Sequence, residues 1–159
     1  MQTSLSRAGK EIAEVYNRHK NTIYRICFAY MKSAPDTEDA VQDTFCNLMR
    51  SGMAFQSEEH EKAWLIRTAS NVCKNAVKHW WRKGEPLDVH GELSTHDVYD
   101  VDETLQAVLD LPDMYKTAVY LYYYEGYNST EIATILEKPQ STIRYYLLEA
   151  RKLLRKVLQ

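Results

Sequence analysis

At 159 residues, with 45% hydrophobic and 26% charged residues, the chain suits one medium globular domain or two small ones. No apolar run approaches the roughly 20 residues that span a bilayer, and Met1 to Lys10 lacks the apolar centre of a signal peptide, so no membrane insertion is expected. The net charge of −2 conceals three unequal blocks: residues 1–83 carry +4, residues 84–103 carry −7 without a single Lys or Arg, and residues 104–159 carry +1.

The first block reads as three helices. Ile12, Val15, Tyr16, Ile23, Ile26, Cys27 and Tyr30 recur at steps of three and four, which gathers them on one helical face. The run Lys32-Ser33-Ala34-Pro35 interrupts the pattern, and Ser33 with Asp36 has the spacing of a capping box. A second helix carries Ala40, Val41, Phe45, Leu48 and Met49 inward. A polar stretch, Ser51 to Glu61, contains Gly52. A third helix follows from about Glu59 to Lys83, with Trp64, Leu65, Ala69, Val72, Cys73, Ala76 and Val77 as its apolar members. Three such helices close one small core. Cys27, Cys46 and Cys73 are odd in number, lack Cys-x-x-Cys spacing and sit among apolar positions. Buried free thiols in a reducing, cytoplasmic setting are expected.

The acidic strip GEPLDVHGELSTHDVYDVDE, residues 84–103, holds two of the five glycines and no periodic apolar pattern, as a linker does. His90 and His96 within it have no matching Cys cluster, which argues against metal. The second block opens with a short helix near Thr104 to Leu109. Another helix starts at Pro112 and stops at Glu125-Gly126, where glycine can turn left-handed. Asn128 and Glu131 form a second capping box for a brief helix to about Glu137. Pro139 breaks it and starts a last helix to the C-terminus. The fold class expected is all-α: two small helical domains, residues 11–83 and 104–159, joined by the acidic linker.

The last two helices carry the clearest functional pattern. Ile132, Ala133, Ile135 and Leu136, a tight turn, then Ile143 and Leu147 facing inward, fit a helix-turn-helix, with small Ala133 permitting a close crossing. Gln140, Ser141, Thr142, Arg144 and Tyr145 would then enter a major groove, with Arg151, Lys152, Arg155 and Lys156 near phosphates. A plain helical hairpin with a basic tail fits the same residues. The third helix ends in Lys74, Lys78, His79, Trp80, Trp81, Arg82 and Lys83, cations interleaved with rings as single-stranded DNA requires, although Trp64 and one of Trp80 or Trp81 are expected in the core. Glu38, Asp39, Gln42 and Asp43 form an acidic helix face that pattern alone leaves merely solvated.

The runs EDAVQDTFCNLM, KAWLIRTASNVCKNAV, LPDMYKTAVYLYYYEGYNSTEIATIL and STIRYYLLEARKLLRK, in this order from about Val15 to Lys156, resemble the extracytoplasmic-function (ECF) group of the sigma-70 family. The resemblance implies an alternative sigma factor, a non-enzymatic subunit that binds core RNA polymerase and directs promoter recognition, melting and transcription initiation. Asp39, Val41, Gln42, Thr44 and Phe45 match the stretch that docks on the polymerase. Trp64, Arg67, Asn71 and Lys74 match the stretch that melts DNA and reads the minus-ten element. Phe55, in the loop that accepts a flipped base, and Lys78 join them. Ser141, Thr142, Arg144, Tyr145, Leu148, Arg151 and Lys152 correspond to the minus-thirty-five surface. Promoter DNA and core polymerase are the expected partners, with an anti-sigma protein as a further one. No catalytic residue, metal or other cofactor is expected.

Four positions depart from the family pattern: Glu149 and Tyr146 stand where basic residues are usual, and Lys138-Pro139 replaces an aliphatic residue and serine. They put the minus-thirty-five assignment in question, since an acid repels phosphates. Eight of the twelve tyrosines lie between Tyr115 and Tyr146, as core and rim or as an exposed cluster for a partner. Two other readings share the helix-turn-helix. One is a stand-alone transcriptional regulator, which would have no use for the docking match at Asp39 to Phe45. The other is a sigma-like interaction module that no longer reads promoters.

Overall fold

The structure, a computed structural model, describes residues 3–83 and 107–158, with side chains described for 11–83 and 107–156. The acidic strip, with His90 and His96, and the start of the helix expected near Thr104 lie outside the described residues.

Three long helices form the first domain: α1 (Thr3–Met31), α2 (Ala34–Ser51) and α3 (Glu58–Lys83). The turn between α1 and α2 works as the sequence indicates. Lys32 takes a left-handed φ of 66°, and the Ser33 hydroxyl accepts the Asp36 backbone N–H at 3.4 Å while donating to the Asp36 carboxylate at 2.9 Å. Pro35 falls in the first turn, where its missing N–H costs nothing. Gly52, at φ 62°, ends α2 in the left-handed region that a side chain would strain.

Ile23, Ile26 and Cys27 of α1 meet Val41, Phe45 and Leu48 of α2 and Leu65, Ile66, Ala69 and Cys73 of α3 in one core. Each large aliphatic residue taken fully out of water contributes about 1.5–3 kcal/mol before the cost of ordering the chain. Three residues expected inside are not. Met49 is 62% exposed, because Leu48 already occupies the inward slot and the next residue lies about 100° around the helix. Cys46 is exposed for the same reason, one step past Phe45. Tyr16 is 41% exposed and lies edge-on against Phe45, with ring centroids 5.0 Å apart.

The second domain has a helical turn at residues 107–109, then α4 (Asp113–Tyr123), α5 (Ser129–Leu136) and α6 (Gln140–Leu158). Pro112 is the residue before α4 rather than its first helical one, with ψ at 142°. The helix stops at Tyr123, and Gly126 at φ 77° lets the Tyr127 N–H reach back to the Leu121 carbonyl at 3.1 Å. Both bonds of the second capping box are present: Glu131 N–H to the Asn128 side chain at 2.8 Å and Asn128 N–H to the Glu131 carboxylate at 3.0 Å.

Ala118, Val119, Leu121, Ile132, Ile143, Leu147 and Ala150 fill this domain's interior, and that interior is continuous with the first. Leu109, fully buried, packs on Phe28 and Ala29 of α1. The two domains therefore lie face to face, α4 against α1 and α5 against α3.

Candidate functional site

The residues matched to polymerase docking divide sharply by exposure. Asp39 and Gln42 project from α2 into solvent, whereas Val41, Thr44 and Phe45 are buried. Thr44 returns its hydroxyl to the Ala40 carbonyl at 2.8 Å, which satisfies it inside the helix. Val41 and Phe45 thus anchor the helix, and Asp39 and Gln42 are the members of the set at its surface. The helical pattern did not reveal that α1 borders this surface. Tyr16, Lys20, Asn21 and Tyr24 join Glu38, Val41 and Gln42 around an open groove of about 440 Å³.

The minus-ten candidates fall into two groups along α3. Phe55, in the loop before the helix, leans on Trp64 with centroids 5.9 Å apart and meets the His60 ring edge-on at 5.2 Å. That loop is tied by the Ser57 hydroxyl, which accepts the His60 N–H at 3.1 Å. Trp64 is half-buried rather than fully in the core. Further along α3, Asn71 is exposed, whereas Arg67 and Lys74 are half-buried. They form one wall of a cleft of about 200 Å³ whose other wall is Leu136, Glu137, Lys138 and Tyr146 of the second domain. Arg67 donates to the Ile135 carbonyl at 2.8 Å and lies 3.6 Å from the Glu137 carboxylate. Burial, and then the nearby charge of Lys138, hold the Lys74 amine below its ordinary value. Lys78 is exposed beyond the cleft, Trp81 is 70% exposed and Trp80 packs against the core.

The helix-turn-helix is α5, a three-residue turn and α6. Glu137 takes φ 54°, and the Lys138 N–H bonds the Ala133 carbonyl at 3.0 Å, which closes α5. The Pro139 carbonyl accepts from Thr142 and Ile143 at 3.0 and 3.2 Å, so Lys138-Pro139 still starts α6. Ile143, Leu147 and Ala150 point inward. Ser141, Arg144, Tyr145, Leu148, Arg151 and Lys152 therefore form an exposed ridge, with Thr142 at its edge. Tyr146 does not belong to that ridge: it is half-buried against Tyr115, centroids 5.5 Å apart. Glu149 sits beside the ridge, 3.4 Å from the Lys152 ammonium. Of the tyrosine cluster, Tyr120 is buried, whereas Tyr123, Tyr124 and Tyr145 are exposed.

Residues 15–83 match the model for sigma-70 region 2, and residues 102–154 match that for sigma-70 region 4. Together they span well over half of the chain. The chain belongs to the extracytoplasmic-function group of the sigma-70 family. It is 30% identical over 162 residues to the ECF RNA polymerase sigma-E factor of Haemophilus influenzae, covering 90% of this chain and 85% of that one. It is 29% identical over 141 residues to RNA polymerase sigma factor SigV of Bacillus subtilis, covering 86% and 84%. Among solved structures, the sigma factor RpoE of Bartonella quintana, in complex with the anti-sigma factor NepR, superposes with a TM-score of 0.71 at 19% identity, covering 94% of this chain and 97% of that one. The fold is thus the two-domain, all-α layout of region 2 and region 4. This sigma factor is a non-enzymatic, DNA-binding initiation factor of the alternative type.

One cluster escaped the sequence reading. Glu61, within the supposed polar stretch, is 7% exposed and accepts the Arg18 guanidinium at 2.9 Å and His19 Nε2 at 2.8 Å. A charged residue at the first turn of a helix gives no sign that it is buried, because partners more than 40 positions away supply the compensation. Among the described residues no group of three or more His, Cys, Asp or Glu is placed to hold a metal, and no helix is long and apolar enough to cross a membrane.

Proposed function

We propose that this sigma factor docks on core RNA polymerase through the α1–α2 groove and reads the promoter with both domains. Gln42 supplies a directional polar contact at the groove and exposed Asp39 on the same helix adds another, while Tyr16, Val41 and Tyr24 offer apolar rim. Phe55 and Trp64 frame the loop that takes up a flipped minus-ten base, and Arg67, Asn71, Lys74 and Lys78 follow the backbone of the separated strand. Ser141, Thr142, Arg144, Tyr145 and Leu148 read the minus-thirty-five duplex, with Arg151 and Lys152 on its phosphates. In this reading residues 11–83 and 104–159 are the two working domains, and residues 84–103 are the tether. The protein acts in the cytoplasm, where core polymerase is found. An anti-sigma partner is proposed by analogy with the RpoE–NepR pair.

The exposed α6 ridge is the observation that supports promoter reading most directly. Six of its seven candidates lie in solvent on one helical face, the placement a recognition helix needs. Glu149 beside the ridge favours one alternative, a sigma-like module that occupies polymerase without reading promoters. Run-off transcription from a genomic fragment library, with core polymerase plus or minus the protein, separates them. Discrete new start sites sharing an upstream motif are expected. Co-elution with polymerase without new transcripts would establish the module instead, and binding of duplex DNA alone would return a stand-alone regulator.

A further inference from the structure

The cleft between the domains carries more positive charge than its own carboxylates balance. Lys74 reaches it from α3 and Lys138 from the turn between α5 and α6, both half-buried. The Lys138 charge opposes that of Lys74 across the gap. The carboxylates at hand are already engaged. Glu137, also in the lining, lies 3.6 Å from Arg67, which spends another donor on the Ile135 carbonyl at 2.8 Å. Asp113 lies 3.0 Å from Lys116, a buried ammonium that also donates to the Ala29 carbonyl at 2.8 Å, where α1 ends. Among the described residues no carboxylate forms an ion pair with Lys74 or Lys138. With Arg67 and Glu137 cancelling, the lining keeps the two lysine charges. Their repulsion stands uncompensated, and an anion between them would relieve it. Behind them Ser70 Oγ and Thr117 Oγ1 bond one another at 2.9 Å, and Thr117 meets Tyr30 Oη at 2.7 Å, a polar floor without further charge. At about 200 Å³ the cleft is below the roughly 300–1,000 Å³ of ordinary small-ligand sites, yet several times the roughly 30 Å³ that one water takes in the liquid. A phosphate group with a few waters fits, and a nucleoside does not.

We propose that this cleft is a binding site for a single phosphate-class oxyanion, held between Lys74 of the first domain and Lys138 of the second. A phosphate dianion matches the two spare charges, and each ammonium brings three donors to a ligand whose oxygens accept. Exposed Asn71 adds a neutral donor in the same lining. The anion is free in solution, or it is the terminal phosphate of a larger molecule whose remainder stays outside. The site uses only groups that line the cleft, so it stands whether or not Lys74 also serves the separated strand.

The probes are inorganic phosphate, pyrophosphate and magnesium-free ATP, titrated into the full chain with chloride holding the ionic strength constant. Calorimetry gives affinity and stoichiometry, and the rise in thermal midpoint gives an independent measure of binding to the folded state. Phosphate and pyrophosphate should each bind at one per chain. Lys74→Gln and Lys138→Gln should each weaken pyrophosphate about ten-fold, the loss of one charge-assisted contact. Lys138→Arg keeps the charge and should stay within about three-fold of wild type. Lys83→Gln removes an equal charge from the exposed end of α3 and should change affinity less than about two-fold. ATP within about three-fold of pyrophosphate makes the terminal phosphate of a larger molecule the source, whereas weaker ATP makes it the free anion; either upholds the site. Equal weakening by Lys83→Gln, several anions per chain, or a loss confined to one of Lys74→Gln and Lys138→Gln would overturn it, since each describes attraction to scattered surface lysines. No binding of phosphate or pyrophosphate would overturn it outright. Should Lys74→Gln fail to fold, Lys138→Gln and its rescue by Lys138→Arg decide.

Discussion

Glu61 is more consequential to the fold than its position in a polar stretch suggests. Its carboxylate holds the Arg18 guanidinium and the buried His19 ring together. Glu61→Ala should cost about 3 kcal/mol, the low end for breaking a buried pair because Arg18 keeps some access to water, and urea denaturation reads the loss directly. Asp39 stands at the other extreme, exposed on α2. Asp39→Arg should weaken core polymerase binding about ten-fold with the melting temperature unchanged; unaltered affinity in a folded variant would cancel the docking assignment. Glu149 is paired with Lys152 at the edge of the α6 ridge. Glu149→Arg removes a repulsion and frees that lysine, so duplex binding should tighten and its log–log salt slope should steepen by roughly one. No change even at low salt would place Glu149 away from the phosphates.

Helix ends carry the most legible signals at the scale of elements. Ser33, Asn128 and Glu131 cap the helices that their spacing indicated. Asn128→Ala should destabilise the second domain by about 1 kcal/mol, seen as a lower thermal midpoint, because the Glu131 N–H at the start of α5 loses its side-chain partner. Sequence reasoning was less successful one step from a core position. Met49 and Cys46 each neighbour a buried residue and project outward, since an apolar type tolerates the surface and only the actual helix-helix contact fixes which of two adjacent slots is inside. The departure at Tyr146 proved to be an element-level matter too. It packs on Tyr115 of α4, so a cation at that position would not reach the exposed ridge.

The buried acids between the two domains and within the first make the whole molecule sensitive to alkali. Burial pushes the phenols of Tyr30 and Tyr120 well above their ordinary 10.0, and a hydrogen bond with Cys27, followed by burial, holds the Cys73 thiol well above 9.0. An acid whose folded value is raised keeps its proton in the folded state after the unfolded chain has lost it. Stability from these groups is thus complete below about pH 8, falls as pH passes 9 to 10, and goes on falling above that. Lys116 and Lys74, held below 10.5 by burial, act with the opposite sign, favouring the folded state as pH rises toward 10.5, and soften the decline. Denaturant midpoints at pH 7, 9 and 10.5 should fall in that order; a midpoint that rises across the series would contradict the burial of Tyr30 and Tyr120. The sequence by itself determined the all-α class, the helix boundaries to within a few residues and the family, because caps, breakers and apolar periodicity are local properties of the chain. Only the tertiary structure decided that Thr117 meets Tyr30 and Ser70, that Lys116 caps α1 and that Arg67 faces Glu137. Those pairings join residues dozens of positions apart, and a hydroxyl or ammonium becomes buried only when a partner from another helix replaces its water.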